Sequence, residues 1–270
     1  MDQIINRIPI MLRQYKYLFE LLVVLCLNLS LISAQDNLNG VIYYDQVQEY
    51  KLEGAYNSPE WDSYIAQLPS KGNTQYKLSF IQERTLYEID PESESQQNKK
   101  MKLALKKASY MKPPSPKSIK VFNDYGSGIQ IQQVELLTKD FFVDTELKQL
   151  PWKITQTKKQ VLDYVCLGAE LNNGDGTITA YFSPQIPIPV GPGEYYGLPG
   201  AILSIEKNGD VLMEATSIVL SELGSTNALE ILGEGQTISQ EEFEKILDKK
   251  IQEFNINSTA KTKAKKKGKK

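Results

Sequence analysis

The feature that most constrains this chain is a stretch rich in proline and glycine, residues 183–200, which cannot be a helix or an inner strand. Residues 184–192 contain four prolines, and each lacks the backbone N–H that a helix or a sheet ladder needs. Leu198-Pro199-Gly200-Ala201 follows and predicts a type II turn, because proline presets φ at the second position and glycine accepts positive φ at the third. A side chain at Gly200 should therefore strain the backbone.

Two predicted β-hairpins flank this stretch. The first pairs residues 165–171 with 177–182 across the turn sequence Asn172-Asn173-Gly174-Asp175-Gly176. The second pairs residues 200–206 with 211–217 across Asn208-Gly209, a sequence typical of a type I′ turn. The proline-rich stretch is therefore predicted to be one connection between two hairpins.

The rest of the chain is also predicted to be mainly β. Residues 39–47 form a first strand, and residues 75–89 form one long strand with a bulge near Ile81. Further strands are predicted at residues 117–122, 129–136 and 139–143. The fold class is mainly β with a minor α part: a curved antiparallel sheet or half-open barrel with a C-terminal helix packed on it.

That helix is predicted over residues 239–254. Ser239 and Glu242 form a capping box, and Ile238 and Phe243 occupy the positions of a hydrophobic staple. Apolar side chains then recur at helical spacing and should pack on the sheet: Phe243, Ile246, Leu247, Ile251 and Phe254.

The ends of the chain predict export. Arg7, Arg13 and Lys16 precede an apolar run, and Ser33-Ala34 offers a cleavage site, so residues 1–34 are predicted to be a signal peptide. Residues 35–257 form a single β-rich domain with a polar surface insertion near 90–118, and residues 258–270 form a disordered lysine-rich tail. The predicted location is the periplasm, the outer membrane or the cell surface.

The chain contains no histidine, which excludes Ser-His-Asp and Cys-His catalysis and histidine zinc sites. We therefore predict a protein that is not an enzyme, with no catalytic residue, metal or cofactor. Cys166 is the cysteine that remains after the predicted signal peptide; its strand-like neighbours predict burial, and a reactive thiol is the alternative. A hydrolase that uses paired carboxylates or Cys166 remains open.

A series of motifs between residues 152 and 206 resembles the GLPGLI family, secreted proteins of Bacteroidetes whose function is unknown. They are Trp152-Lys153-Ile154, Lys158-Lys159, Tyr164-Val165-Cys166, Ala180-Tyr181-Phe182, Pro184-Gln185-Ile186-Pro187-Ile188, Gly191-Pro192 and Gly197-Leu198-Pro199-Gly200-Ala201-Ile202. Ala201 and Asp163 depart from the family's usual leucine and glycine. The resemblance implies no catalytic residue.

The candidate ligand-binding residues surround the connection: Trp152, Tyr181, Tyr195, Tyr196, Leu198 and Pro199. Aromatic and proline side chains on a β scaffold suit a peptide, glycan or lipid. The alternative is a rigid structural clamp that closes the sheet.

The last ten residues hold seven lysines and no acidic residue, whereas the rest of the chain has an excess of acidic residues. This tail could bind an anionic membrane surface, and nucleic acid is not a predicted partner. The leading hypothesis is an exported, envelope-associated binding module for a partner protein or an apolar ligand. An accessory or assembly component of an outer-membrane transport system is the second hypothesis.

Overall fold

A computed structural model of the chain describes residues 38–49, 63–64, 66–67, 69–90, 113–172, 174, 176–222, 229 and 237–267. The predicted signal peptide and most of the predicted insertion near 90–118 lie outside the described residues. The strands are β1 Leu38–Glu49, β2 Lys71–Ile81, β3 Arg84–Ile89, β4 Lys117–Asp124, β5 Ile129–Leu136, β6 Lys139–Glu146, β7 Lys153–Val161, β8 Tyr164–Asn172, β9 Thr177–Ser183, β10 Ala201–Lys207, β11 Asp210–Glu222 and β12 Thr237–Ser239. The C-terminal helix, α1, spans Gln240–Lys267.

The strands form one open, curved sheet in the order β12-β6-β5-β4-β3-β2-β1-β11-β10-β9-β8-β7. All neighbouring strands are antiparallel except β12, which runs parallel to β6. The prediction of a mainly β fold with a curved sheet and a C-terminal helix is confirmed. The sheet does not close into a barrel, and the parallel β12 makes it mixed.

Both predicted hairpins are present. β8 pairs with β9, and β10 pairs with β11 across Asn208-Gly209, whose φ angles are 53° and 91°. β9 also pairs with β10, so the connection of residues 184–200 leaves the sheet and returns to the adjacent position. It must therefore pack over the sheet between its two ends.

The prediction of one long strand over residues 75–89 is wrong. β2 and β3 are antiparallel partners, and Ile81 lies opposite Arg84. The turn between them contains Gln82 at a φ of 53°. Neither Gln82 nor Glu83 is a usual residue for such a turn, which explains why the sequence pattern suggested a bulge.

The core begins on β1 and β2, where buried apolar side chains alternate along each strand. Ile42, Tyr44, Leu78 and Phe80 are each 0% exposed, and Ile42 lies directly opposite Leu78. Removing each of these side chains from water stabilises the fold by about 1.5–3 kcal/mol. Because the pleat places alternate residues on one face, the same face also presents the side chains that line the cleft described below.

Helix α1 begins with the predicted capping box. The Glu242 backbone N–H donates to Ser239 Oγ (3.2 Å), and the Ser239 N–H donates to Glu242 Oε2 (3.0 Å). Phe243 is buried and its ring meets Phe141 at 5.6 Å. The helix ends at Lys267, beyond the predicted end at residue 254.

Within the part of the chain that the structure describes, no helix is long and apolar enough to cross a membrane.

Candidate binding cleft

The connection of residues 184–200 is fixed to the strand that follows it. Ala201 N–H donates to Ile186 O and Ile202 N–H donates to Val190 O, both at 2.9 Å. Ile186, Ile188 and Val190 are buried, and the prolines between them point to solvent. The alternation of isoleucine and proline therefore gives the segment a buried side and an exposed side, as in a strand, although proline removes the N–H groups of a ladder.

The turn at Pro199 differs from the predicted type II turn. Gly200 N–H donates to Leu198 O at 2.7 Å, while Ala201 N–H bonds to Ile186 instead of closing a four-residue turn. The geometry is that of a three-residue γ-turn centred on proline. The predicted need for glycine is nevertheless met, because Gly200 has a φ of +156° and packs against the Ser183 carbonyl group.

A buried tyrosine supports the return into β10. The pairing of β10 with β9 shifts register between Ile202 and Ser204. Tyr44, which is 0% exposed, donates its hydroxyl hydrogen to Ile202 O at 2.6 Å. Burial, with smaller contributions from Tyr125 and Cys166, raises the pKa of Tyr44 well above its usual value. The hydroxyl therefore stays protonated and satisfies a carbonyl at the bulge.

Three of the predicted binding residues join the connection to the segment before β7. Trp152 Nε1 donates to Tyr196 O at 2.8 Å, and the Trp152 ring lies 6.4 Å from the Tyr195 ring. The Tyr196 hydroxyl donates to Lys148 O at 2.8 Å, and its ring lies 5.6 Å from that of Tyr125. These contacts have the form of the clamp that the sequence left as the alternative.

Of the other three predicted residues, Leu198 lies with this group, whereas Pro199 and Tyr181 do not contribute to it. Leu198 is buried in the same hydrophobic cluster as Tyr195, and Pro199 is exposed. Tyr181 lies on the other face of β9 from the buried Phe182, below the ammonium group of Lys159 at 5.4 Å from the ring centroid. The structure thus brings Trp152, Tyr195, Tyr196 and Leu198 together and leaves Tyr181 apart. Their predicted role in binding a ligand stays a prediction.

A cleft of about 360 Å³ lies between the connection and the sheet. Its volume falls at the lower end of the range for small-molecule sites, about 300–1,000 Å³. Six strands and the connection contribute its lining residues: Gln46, Tyr76, Tyr87, Ser118, Ile119, Val121, Gln132, Gly193, Glu194, Tyr195 and Met213. Of the residues predicted from sequence, Tyr195 lines the cleft. The others were missed because strand alternation does not show which buried face carries a cavity.

Three tyrosines form part of the wall. The Tyr76 and Tyr87 rings stack at 4.9 Å with an interplanar angle of 4°, and the Tyr87 hydroxyl donates to Gln46 Oε1 at 3.3 Å. Burial, together with the neighbouring Tyr76 and Tyr44, raises the pKa of Tyr87 well above its usual value. Burial and the nearby Glu194 raise the pKa of Tyr195 to about 12. These hydroxyl groups are therefore neutral at physiological pH.

A buried chain of polar side chains orients Gln132 at the cleft. Gln132 Nε2 donates to Gln130 Oε1 at 2.6 Å, and Gln130 Nε2 donates to Asn123 Oδ1 at 2.9 Å. Asn123 Nδ2 in turn donates to Thr85 Oγ1 at 3.2 Å. Gln130, Asn123 and Thr85 are buried, so these bonds form in a low-dielectric interior, where they hold a side chain in place more firmly than in water.

One buried hydroxyl beside the cleft has no partner. Thr74 lies directly opposite Gln46 in the β1–β2 ladder and shares a strand face with Tyr76. It is 3% exposed, and its Oγ1 makes no hydrogen bond. An unsatisfied buried hydroxyl costs about 1–3 kcal/mol; Thr74 is adjacent to Gln46 across the ladder but is not among the residues that line the cleft.

A second polar cluster lies around Lys159 on the β7–β11 part of the sheet. Its ammonium group donates to Glu214 Oε2 (2.5 Å), Glu206 Oε1 (2.8 Å) and Ser204 Oγ (3.1 Å). Burial lowers the pKa of Lys159, but the hydrogen bonds to both carboxylates more than offset it, so the pKa lies above its usual value. A lysine held in its charged form cannot act as a base toward Ser204, so the cluster has the character of an ion-pair network.

We expect this network to give a pH-dependent contribution to stability. The pKa of Lys159 is higher in the folded protein than in the unfolded chain. The contribution of the network to stability is therefore complete below pH about 10.4, the pKa of lysine in an unfolded chain, and is lost as the pH rises through the pKa of Lys159 in the folded protein. Lys159→Met should lower the free energy of unfolding by about 1 kcal/mol at pH 7 after allowance for solvent screening. The difference from wild type should shrink above pH about 10.5 in denaturant titrations. Lys158→Met, at an exposed neighbour, is the control and should show neither effect.

Cys166 is buried at 0% exposure, and the residue is a free cysteine. Burial outweighs the opposing effect of Lys159 and raises the pKa of the Cys166 thiol to about 11. We therefore predict that a thiol reagent added to the folded protein at pH 8 reacts at least a hundredfold more slowly than with the protein in denaturant. Equal rates in the two states would contradict the buried placement and would revive a Cys166 nucleophile.

Within the described ranges, no group of three or more acidic or cysteine side chains is arranged to hold a metal ion.

The chain is a β-sheet protein with a cleft between the sheet and the connection of residues 184–200. Residues 170–204, from the end of β8 to β10, match the model of a family described as a protein of unknown function (Porph_ging). No curated protein matches the chain.

Solved structures of PNGF-II, in the P21 and C2 space groups, share the fold with TM-scores of 0.50 and 0.51 at 13% sequence identity. The alignment covers 79% of this chain but 34% and 33% of the PNGF-II chains. The chain thus spans about a third of the length of these structures, and at this identity the likeness shows the fold alone.

Proposed function

We propose that the chain is an exported, non-enzymatic binding module of the GLPGLI type that holds a small ligand in the cleft between the connection and the sheet. The observation that carries the proposal is the composition of the cleft wall, in which tyrosines, aliphatic side chains and two glutamine amides meet around one volume. Such a mixture of apolar surface and a few fixed polar groups is typical of ligand sites.

The chemistry of the cleft favours binding over reaction. Tyr87 and Tyr195 have raised pKa values and are poor bases near pH 7. The chain has no histidine, and Lys159 is paired with two carboxylates outside the cleft. A hydrolase would instead need a nucleophile and a base in contact within the cleft.

The proposal is tested by filling the cleft from its rim. Ser118 is exposed and lines the cleft, and Lys117 is its exposed neighbour on the opposite face of β4. Ser118→Trp should block the cleft, whereas Lys117→Trp adds the same bulk elsewhere. Each protein is incubated with a detergent extract of the envelope of the producing cells and re-isolated, and its bound small molecules are identified by mass spectrometry. A compound recovered with wild type and Lys117→Trp but lost with Ser118→Trp is expected; identical recovery from all three proteins would contradict the proposal.

Export is the second part of the proposal, and it is supported by the basic and apolar residues before Gln35. N-terminal sequencing of the protein from fractionated cells should show a chain that starts at Gln35 in the periplasmic or outer-membrane fraction. An intact N-terminus in the cytoplasmic fraction would contradict it.

A further inference from the structure

The charged side chains that line the cleft are of one sign. Among the described residues that line it, Glu194 is acidic and none is lysine or arginine. A phosphate or carboxylate group would enter without a cation to pair with it and beside a like charge, which is unfavourable in a partly desolvated site. The ligand that suits the cleft is therefore neutral or cationic.

The polar groups of the cleft suit a ligand with many hydroxyl groups. An amide side chain presents both donors and an acceptor, as a hydroxyl group does. Gln46 is held by Tyr87, and Gln132 is held by Gln130, so two amides occupy set positions on opposite sides of the stacked tyrosines. Fixed groups of this kind bind with little loss of side-chain freedom.

The unpaired hydroxyl of Thr74 lies next to the cleft residue Gln46 but does not itself line the cleft. It is buried directly opposite Gln46 and makes no hydrogen bond. An acyl chain would offer the amides of Gln46 and Gln132 no hydrogen bond beyond the ones that they make within the chain, which is unfavourable in a desolvated site.

The apolar side chains of the cleft also suit a sugar ring. Tyr87, Tyr195, Val121 and Met213 provide surface against which the C–H groups of a sugar ring can pack, while its hydroxyl groups meet the amides. An organic cation would use the tyrosines and Glu194 but would leave the amides unused. From these observations we infer that the cleft binds a neutral saccharide; the inference rests on the proposed function, because it specifies the ligand of the same cleft.

Calorimetric titration of the exported chain tests the inference with maltotriose, cellotriose and chitotriose as neutral probes, sialyllactose as an anionic probe and choline as a cationic one. At least one neutral trisaccharide should bind, and Gln132→Leu should weaken its binding at least tenfold. Gln133→Leu is the matched control, because Gln133 follows on β5, faces the other way and bonds to Asp140; it should leave the affinity within twofold. Gln46→Leu gives a second, independent variant, and melting curves confirm that each variant is folded.

The outcomes separate this inference from the proposed function. Binding of choline without any trisaccharide, or recovery of a lipid or peptide that Ser118→Trp abolishes, would overturn the saccharide and keep the binding module. Trisaccharide binding that is equal in Gln132→Leu and Gln133→Leu would also overturn it. If no probe binds, and the same small molecules are recovered from the Ser118→Trp and Lys117→Trp proteins, both the saccharide inference and the proposed binding module are overturned.

Discussion

Replacing Gly200 with alanine is expected to lower the free energy of unfolding by about 3–5 kcal/mol, the largest effect of any single substitution considered for this chain. Two costs combine. The φ of +156° is one that residues with a side chain rarely adopt, and an added Cβ would lie 2.7 Å from the Ser183 carbonyl carbon and 3.0 Å from Pro184 N. Both neighbours are backbone atoms, so the clash cannot be relieved by a side-chain rotation. The melting temperature should fall by about 6–20 °C.

Gly197→Ala is the matched control for this substitution. Gly197 has a φ of +87°, but nothing lies within 4 Å of the position that its Cβ would occupy. Alanine there should cost about 1–2 kcal/mol from backbone strain alone. If Gly200→Ala is no more destabilising than Gly197→Ala, the close packing of the turn on Ser183 is wrong.

Replacing Trp152 with alanine is expected to lower the free energy of unfolding by about 3 kcal/mol. The indole packs against Tyr195 and donates to Tyr196 O, so the substitution removes both the packing and the bond that tie the connection to the segment before β7. Denaturant titration measures the change, and the connection should lose protection from hydrogen exchange at Gly197 and Ala201, whose N–H groups are bonded within it.

Trp152→Phe separates the two contributions. It keeps most of the ring contact and removes the Nε1–H donor, so it should cost about 1 kcal/mol. A Trp152→Ala protein that keeps wild-type stability but loses its ligand would reverse our interpretation, because the indole would then be part of the binding site and not of the clamp.

The two hairpins and the capping box could be predicted because their signals are local. Asn208-Gly209 favours a type I′ turn by itself, and Ser239 with Glu242 caps a helix through bonds three residues apart. The need for glycine at position 200 was also predictable, since proline before glycine is a turn signal. The γ-turn itself was not, because the Ile186 carbonyl takes the Ala201 N–H.

The β2–β3 turn and the cleft could not be predicted because they depend on long-range packing. Gln82 adopts a φ of 53° without the glycine or asparagine that usually marks such a position, so the sheet pairing on both sides determines the turn. The cleft joins Gln46 to Gln132 and Met213, residues whose proximity follows from the strand order. Thr74 and Gln132 carried no signal of their own in the sequence.

The aromatic cluster could be predicted from local sequence signals, but its role could not. Six residues are predicted as one group from the sequence, and the structure brings four of them together, Trp152, Tyr195, Tyr196 and Leu198, while Tyr181 lies apart. The sequence could not distinguish a clamp from a binding surface, because that depends on which faces of the rings remain open. In the structure the clamp positions Gly193, Glu194 and Tyr195 as the outer wall of the cleft.

The most direct test of this account is a methyl NMR titration of the wild-type protein with the compound recovered from the envelope extract. We expect shifts of the methyl signals of Ile119, Val121 and Met213, which line the cleft, and unchanged signals for Ile205 and Ile178, which are buried and do not line it. Shifts centred on Ile205 and Ile178, or on the exposed side chain of Ile154 at the sheet edge, with the cleft signals unchanged, would contradict it.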